Sequence, residues 1–414
     1  MDLIYQHVAG LDVHKKTIAV AVRLRQPPGK VHEEVRTFGT MTRDLLQLSD
    51  WLSSQGVTHV AMEATAVLWK PIWNILEGAF TLVLVNPCDL KQVPGRKSDV
   101  RDCQWIAQLL HCGLLRSSFV PPRPQRELRD LTRHRAQLTS EHTRVANRIH
   151  KTLEDANIKL GSVATDVLGK SGRKMLRALV AGHSDPKQLA GLAEGRLRAK
   201  LPALQQALEG HFTEHHRFMI DSLLGHLEYL EQQIDSFSAR IAECLRPFLS
   251  DEDVDRLDAV PGVNRRTIEN VVAETGTDMG RFGGAEQLSS WGGLCPGNEE
   301  SAGKRKRRRI TPGNAWLKRA LGEAACGASR TKGSYLGAQY RRLAGRRGHK
   351  RAVIAVAHSL LVIFYHMLKE PVEYQDLGAD YFKRQNPEPL KRHLVERLRA
   401  LGYDVALSPR EEVA

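Results

Sequence analysis

Residues 3–24, LIYQHVAGLDVHKKTIAVAVRL, decide the fold of the first part of this chain. Residues 3–13 and 17–24 alternate or run apolar with β-branched side chains, the pattern of two strands. PPG at 27–29 follows as a turn, and VHEEVRTF at 31–38 supplies a third strand. Working outward, TRDLLQLSDWLSS (42–54) has helical periodicity ended by Gly56. VTHVAME (57–63) reads as a buried strand, 67–78 as a helix and FTLVLV (80–85) as another strand. A further helix carries RKSDVRDCQW (96–105) and runs to about Cys112. Three strands followed by helix, strand, helix, strand and helix make an α/β sheet with helices on its faces. PPRPQ at 121–125 closes that domain.

The chain has 414 residues, 42% of them hydrophobic, enough for two or three cores. Lys and Arg outnumber Asp and Glu by 61 to 47, for a net charge of +14 and a pI near 9.6. That balance favours a polyanionic partner, of which nucleic acid is the commonest. No run of 18 uncharged apolar residues appears, so no membrane span is expected. The start MDLIYQHVAGLDVHKK is too short and too early-charged for a secretory signal and reads instead as a first strand. The cysteines read as reduced, mostly core thiols of a cytoplasmic protein. Six cysteines, at 88, 103, 112, 244, 295 and 326, form no C-x-x-C pair, which excludes a zinc ribbon and any disulfide framework. The 17 histidines show no metal-ligand spacing. A metal, if used, falls to carboxylates.

Beyond residue 121 the chain reads as helical. A long helix over about 125–157 sets Leu128, Leu131, Leu138, Val145 and Ile149 in a loose heptad seam, surrounded by Arg126, Arg129, Arg133, Arg135, Arg144 and Arg148. A second, over about 214–248, repeats Leu223, Leu227, Leu230, Ile234, Phe237, Ile241, Cys244 and Phe248 at spacings of 4 and 3. This is a coiled-coil seam, folded back on the first helix or paired in a dimer. LDAVPGVNRRTIENVVAETG (257–276) resembles a helix-hairpin-helix, whose turn amides can grip a phosphate. Helices at 314–329 and 350–368 follow, then a polar tail. The expected organisation is a sheet domain at 1–120, a coiled-coil region at 121–250, a helical C-terminal domain at 251–370 and a tail at 371–414.

Four acids line up in this frame. Asp12 ends the first strand in AGLDVHK, Glu63 ends a later buried strand in VAMEAT, and Asp99 and Asp102 stand on the next helix. Residues three apart on a helix share a face, so Asp99 and Asp102 point the same way. Acids at strand ends beside a helix-borne pair are what a ribonuclease-H-like sheet needs to hold magnesium, or manganese, through hard oxygen ligands. Taken singly, Asp12 and Glu63 are also ordinary caps, and Asp99 and Asp102 an ordinary solvated turn.

Six motifs carry a family resemblance over roughly residues 5–370: GLDVHK (10–15), MEAT (62–65), VPGRKSDVRD (93–102), VPGV (260–263), and GNEESAGKR (297–305) with TPGNAWLKRAL (311–321). With them the chain resembles the insertion-sequence-110 transposases, also described as DEDD transposases and bridge-RNA-guided recombinases. The resemblance implies that Asp12, Glu63, Asp99 and Asp102 are the four acids of a RuvC-like domain. It also implies a serine nucleophile at Ser301, donor and target DNA, and a structured noncoding bridge RNA. It further implies a setting in the cytoplasm of a bacterium, at the nucleoid. The family often has glycine after E-A-T, where this chain has Ala66, and often a glycine soon after SAGKR, where this chain continues its basic run.

Ser301 precedes six consecutive cations, Lys304, Arg305, Lys306, Arg307, Arg308 and Arg309, which can bind a scissile phosphate and stabilise charge in its transition state. Read without the resemblance, the serine is more readily an ordinary loop residue, and the run a solvated, phosphate-binding or disordered patch. A seryl phosphodiester keeps the bond energy, so a strand can be rejoined without ATP. The acids and Ser301 lie some 200 residues apart, so their domains must meet, and the expected assembly is a homodimer or homotetramer held by the 223–248 seam. Arg126, Arg129, Arg133, Arg144, Arg148 and Lys304–Arg309 are candidate contacts to RNA or DNA backbones. Two rival readings are a RuvC-like nuclease that hydrolyses branched DNA with metal and water, and a nonenzymatic nucleic-acid-binding protein.

Overall fold

The computed structural model describes residues 4–26, 30–87, 90, 102–296, 300–301, 304–305, 310, 313–385 and 388–407. The chain forms two compact units, Met1–Pro121 and Pro122–Ala414. In the first, strands β1 (His7–Val13), β2 (Thr17–Gln26) and β3 (Lys30–Gly39) lead into helix α1 (Thr42–Ser54). Then come β4 (His59–Glu63), α2 (Trp69–Leu76), β5 (Thr81–Val85) and α3 (Asp102–His111). The elements expected from Thr42 to Val85 and the three opening strands are all present. Residues 91–101, including Asp99, lie outside the described residues.

The sheet order is β3-β2-β1-β4-β5. β1, β2 and β3 are antiparallel in sequence, while β4 and β5 run parallel to β1. Alternation along β1 sorts its side chains. Ala9, Leu11 and Val13 enter a core with Leu45, Leu48 and Leu52 of α1 and Ile72 and Leu76 of α2. Val8 and Ala61 turn the other way, onto Ile106 and Leu110 of α3. The sheet is thus covered by helices on both faces, which is why β1 and β4 read as nearly continuous apolar runs. The edge strand β3 stays polar and leaves Val31 and Val35 exposed.

The second unit is helical. Helix α4 (Arg123–Asp155) opens with Pro124, where a missing N–H costs nothing. After it come α5 (Leu160–Val163), α6 (Lys170–Val180), α7 (Pro186–Gly191), α8 (Leu201–Leu208) and α9 (Glu214–Leu245). α9 begins in a capping box between Thr213 and His216. It packs antiparallel on α4: Arg135 meets Ser238 at 3.5 Å, His142 meets Glu231 at 3.1 Å, and Asp155 meets His216 at 2.9 Å. The seam expected to hold a second subunit is therefore closed within the chain. Leu223, Leu227, Leu230, Ile234 and Ile241 are all buried, the three leucines in one core with Val145 and Ile149 of α4 and Ile241 in another with Leu128.

The C-terminal helices are α10 (Asp251–Asp258), α11 (Arg265–Thr275), α12 (Ala285–Trp291), α13 (Ala315–Arg330), α14 (Tyr335–Arg347) and α15 (His349–Lys369). Two-residue strands β6 (Glu300–Ser301) and β7 (Lys304–Arg305) precede α13, and α16 (Tyr381–Gln385) and α17 (Glu388–Ala400) end the described chain. Leu128 of α4 and Ile241 and Leu245 of α9 belong to the same core as Leu257, Leu321 and Phe364. Two long helices are shared by both cores of this unit, so the boundary expected at residue 250 is not a break in packing. α15 is long and apolar enough to span a membrane by length and composition, yet Val356, Leu360, Leu361 and Phe364 sit in this core. The hairpin glycine Gly262, at φ +83°, faces α13, where an added Cβ would come within 2.3 Å of the Ala324 carbonyl and the Ala328 amide. The turn expected to present amides to a phosphate uses its glycine for helix packing.

Candidate functional site

Gly10 organises the acidic face of the first unit. A Cβ there would lie 2.3 Å from both the Cys103 carbonyl and the Ala107 amide, so α3 rests directly on the backbone of β1. α3 runs opposite to β1, because the carbonyl of its last residue, His111, accepts from the amides of Ile4 and Tyr5 at 3.0 and 3.4 Å. Its first residue, Asp102, consequently stands at the C-terminal end of β1, where Asp12 lies. β1 and β4 pair Gly10 with Ala61 and Leu11 with Met62, so continuing this register places Glu63 beside Asp12. Strand alternation puts Asp12 on the Gly10 side and Glu63 on the Ala61 side, which is the α3 face for both. Three of the four expected acids therefore share one face and one end of the sheet.

The Asp12 carboxylate is 22% exposed and pairs with His14 Nε2 at 3.2 Å. Cys103 is buried beside it. Burial pushes its thiol up from the ordinary value, and the negative charges of Asp12 and Glu33 push it further. The thiol is thus a neutral wall of this acidic corner, not a nucleophile. Glu33 on β3 is a fifth acid near this face, which sequence reasoning passed over. It pairs with Arg23 at 2.9 Å and accepts from the Gln104 amide, so its charge is already engaged. Nothing in VHEEVRTF distinguishes it from an edge-strand charge. Carboxylate oxygens suit magnesium. Among the described residues, however, no three His, Cys, Asp or Glu side chains converge tightly enough to hold an ion by themselves. The donor chemistry and the shared face fit the ion, and Asp99 lies outside the described residues.

Ala66, where the family often has glycine, takes φ +47°. An L-residue there carries backbone strain that glycine would not. It follows Glu63 by one tight turn, in which the Thr65 amide donates to the Glu63 carbonyl at 2.8 Å.

In the second unit, Ser301 lies on β6 and pairs in antiparallel register with Lys304 of β7, while Glu300 pairs with Arg305. Lys306, Arg307, Arg308 and Arg309 lie outside the described residues. This hairpin rises from a narrow neck. Pro296 bridges Ile310, and a Cβ on Gly313 would fall 2.4 Å from the amide of Gly293. Asn314 then caps α13, its Oδ1 accepting from the Trp316 and Leu317 amides at 3.0 and 3.1 Å. The TPGN motif thus closes the neck and starts the helix. Cys295 Sγ at the base lies 4.0 Å from His358 Nδ1. Burial raises the thiol and lowers the imidazole, so both stay neutral and this pair is no activated nucleophile.

The arginines of α4 divide. Arg133 grips Glu274 with two bonds of 2.7 and 2.8 Å, and Arg129 donates to the Glu274 carbonyl at 2.7 Å. The Glu274 side chain is 2% exposed and also accepts from Asn314 at 2.6 Å. Arg129 and Arg133 therefore tie α4 to α11 and to the neck, and their charge is largely spent there. Arg126 is half-buried, whereas Arg144 and Arg148 are exposed one turn apart. Between α4, α11 and α13 opens a cleft of about 320 Å³, lined by Arg133, Arg266, Asn270, Trp316 and Arg319.

Two family models match the chain. Residues 9–158 match the DEDD transposase model of the IS110 group, and residues 254–341 match the model described as Transposase IS116/IS110/IS902 family. No curated protein sequence matches it. The first match spans all three described acids, and the second spans the helical hairpin, Ser301 and the capped helix α13. The chain belongs to the IS110 family of transposases.

Proposed function

We propose that this transposase cuts and rejoins DNA strands of an insertion sequence through a phosphoseryl link at Ser301, with Asp12, Glu63, Asp99 and Asp102 as the ligands of magnesium. The single observation that carries the reading is the placement of Asp12, Glu63 and Asp102 on one face, at the end of β1 where α3 begins. The strand order, with β1 antiparallel to β2, parallel to β4 and crossed by α3, supports a RuvC-like, ribonuclease-H-like domain. When bound, the ion supplies Lewis-acid charge to the phosphate under attack. The carboxylates orient that phosphate and keep its oxygens in line. The Ser301 Oγ–P bond forms as one P–O ester bond breaks, and the serine proton leaves as the departing oxygen gains one. Reversal by a different strand's hydroxyl restores the serine. Arg144, Arg148 and the Lys304–Arg309 run serve nucleic-acid backbones, including a bridge RNA. Pairing of subunits as a dimer or tetramer uses surfaces other than the Leu223–Ile241 seam.

Adduct trapping tests this reading. The protein is incubated with candidate RNA, magnesium and labelled donor and target DNA, then denatured, beside Ser301→Ala and Asp102→Ala. The expected result is label retained on the wild-type protein and lost in both variants. Cleavage without an adduct, unchanged by Ser301→Ala, would replace it with a hydrolytic nuclease.

A further inference from the structure

Six cations that no motif singles out gather at one corner of the second unit. Arg341, Arg342, Arg346 and Arg347 lie on α14, and Lys350 and Arg351 open α15. All six are exposed. Gly348 alone joins the two helices, at φ +82°, so the last turn of one and the first turn of the other are forced together. Tyr340 Oη lies 2.7 Å from His349 Nδ1 and ties the joint across that glycine. Arg342 is held over the ring of Phe382 at 4.1 Å.

Several cations elsewhere in the second unit are neutralised. Arg129, Arg133, Arg135, Arg173 and Arg256 all meet carboxylates. At this corner no ion pair forms among the described residues, and no acidic residue occurs between Glu323 and Glu370. Arg346 and Arg347 are ordinary in the last turn of a helix, where the backbone dipole favours positive charge. Lys350 and Arg351 are not. They stand in the first turn of α15, which has no acid, and there the dipole opposes them. Six like charges, two of them against a helix dipole, oppose folding unless a polyanion meets them. The corner also lies almost wholly beyond the second family match, which ends at residue 341.

We infer that the α14–α15 corner is a docking surface for the phosphate backbone of duplex DNA, formed by residues other than the proposed acids and Ser301. The partner class rests on the transposase assignment. The surface itself carries no reaction chemistry, so it is tested without metal or turnover.

The test is binding of the full chain to an arbitrary 30-base-pair duplex in EDTA, across 50 to 200 mM salt. The variant Arg346→Gln/Arg347→Gln/Arg351→Gln is compared with Lys187→Gln/Arg196→Gln/Arg198→Gln, which removes the same charge from exposed positions elsewhere. Each phosphate contact contributes about 0.9 to the slope of log affinity against log salt, so three lost contacts flatten it by about 2.7. Between 50 and 200 mM salt, the wild type should lose about 40-fold more affinity than the corner variant. The control variant should keep the wild-type slope, and neither variant should melt below the wild type. Equal slopes for the two variants would overturn the inference, since net charge alone would then be at work. A loss confined to an RNA hairpin probe, with duplex binding intact, would also overturn it. Adduct formation at Ser301 is read separately, so failure of the corner and failure of the catalytic reading are distinguishable.

Discussion

Replacing Gly10 by alanine tests the packing on which the acidic face depends. The added Cβ would sit 2.3 Å from the Cys103 carbonyl and 2.3 Å from the Ala107 amide, and ordinary contact begins near 3.4 Å. Both obstacles are backbone, so no side chain can swing aside. α3 must move away from β1 by about 1 Å, at the 1–3 kcal/mol typical of an overpacked core. The same shift carries Asp102 away from Asp12; on the proposed reading, in which both hold the ion, a misplacement of about 1 Å costs about 100-fold in rate. Urea unfolding followed by tryptophan fluorescence, to which Trp105 on α3 contributes, reads the first effect, and strand exchange reads the second. Gly225→Ala is the matched control, because a Cβ in that exposed part of α9 meets nothing within 4 Å. It should stabilise its helix by up to about 1 kcal/mol and leave exchange unchanged. If Gly10→Ala unfolded at the wild-type urea concentration and exchanged strands at the wild-type rate, α3 would not rest on β1. The grouping of the acids would then fall with it.

Three further outcomes are expected. Ala66→Gly should raise stability by about 1 kcal/mol in thermal unfolding, since it relieves a left-handed alanine at φ +47°. Glu269→Ala should cost about 3–5 kcal/mol, because it strands the Arg135 guanidinium, 4% exposed and bonded to Glu269 at 2.5 Å, without a counter-charge. Arg135→Met combined with Glu269→Leu should recover most of that loss in the same unfolding assay. The third concerns pH. The Arg173 guanidinium, with help from His142, holds Glu231 below its ordinary carboxylate value. Its contribution is therefore present above the unfolded-state value near 4.5 and disappears as pH falls through the lower folded value. Wild type should melt above Glu231→Gln at pH 7, with the gap closing below pH 4.5; a gap that widened in acid would refute the pairing.

What the sequence determined by itself is local and periodic. Alternation in 3–24, the helical spacing of 42–54 and the apolar runs at 57–63 and 80–85 each specify an element, because one buried face imposes a period of two or of 3.6. The same reading placed Asp12 and Glu63 at strand ends, and the motifs marked Ser301. The tertiary structure decided what depends on partners distant in the chain. Gly10 is one glycine among 33 until α3 is seen lying on it. The 223–241 seam has the same period whether it closes on α4 or on a second subunit, and only the pairs from Arg135–Ser238 to Asp155–His216 choose. Arg129 and Arg133 read as two more cations for nucleic acid, because Glu274, which takes up their charge, lies more than 140 residues away. Conversely, Arg346, Arg347, Lys350 and Arg351 become one surface because Gly348 folds two helix ends onto a single corner. A chain encodes its periods within a few residues; which charges are spent and which stay open is settled only when remote segments meet.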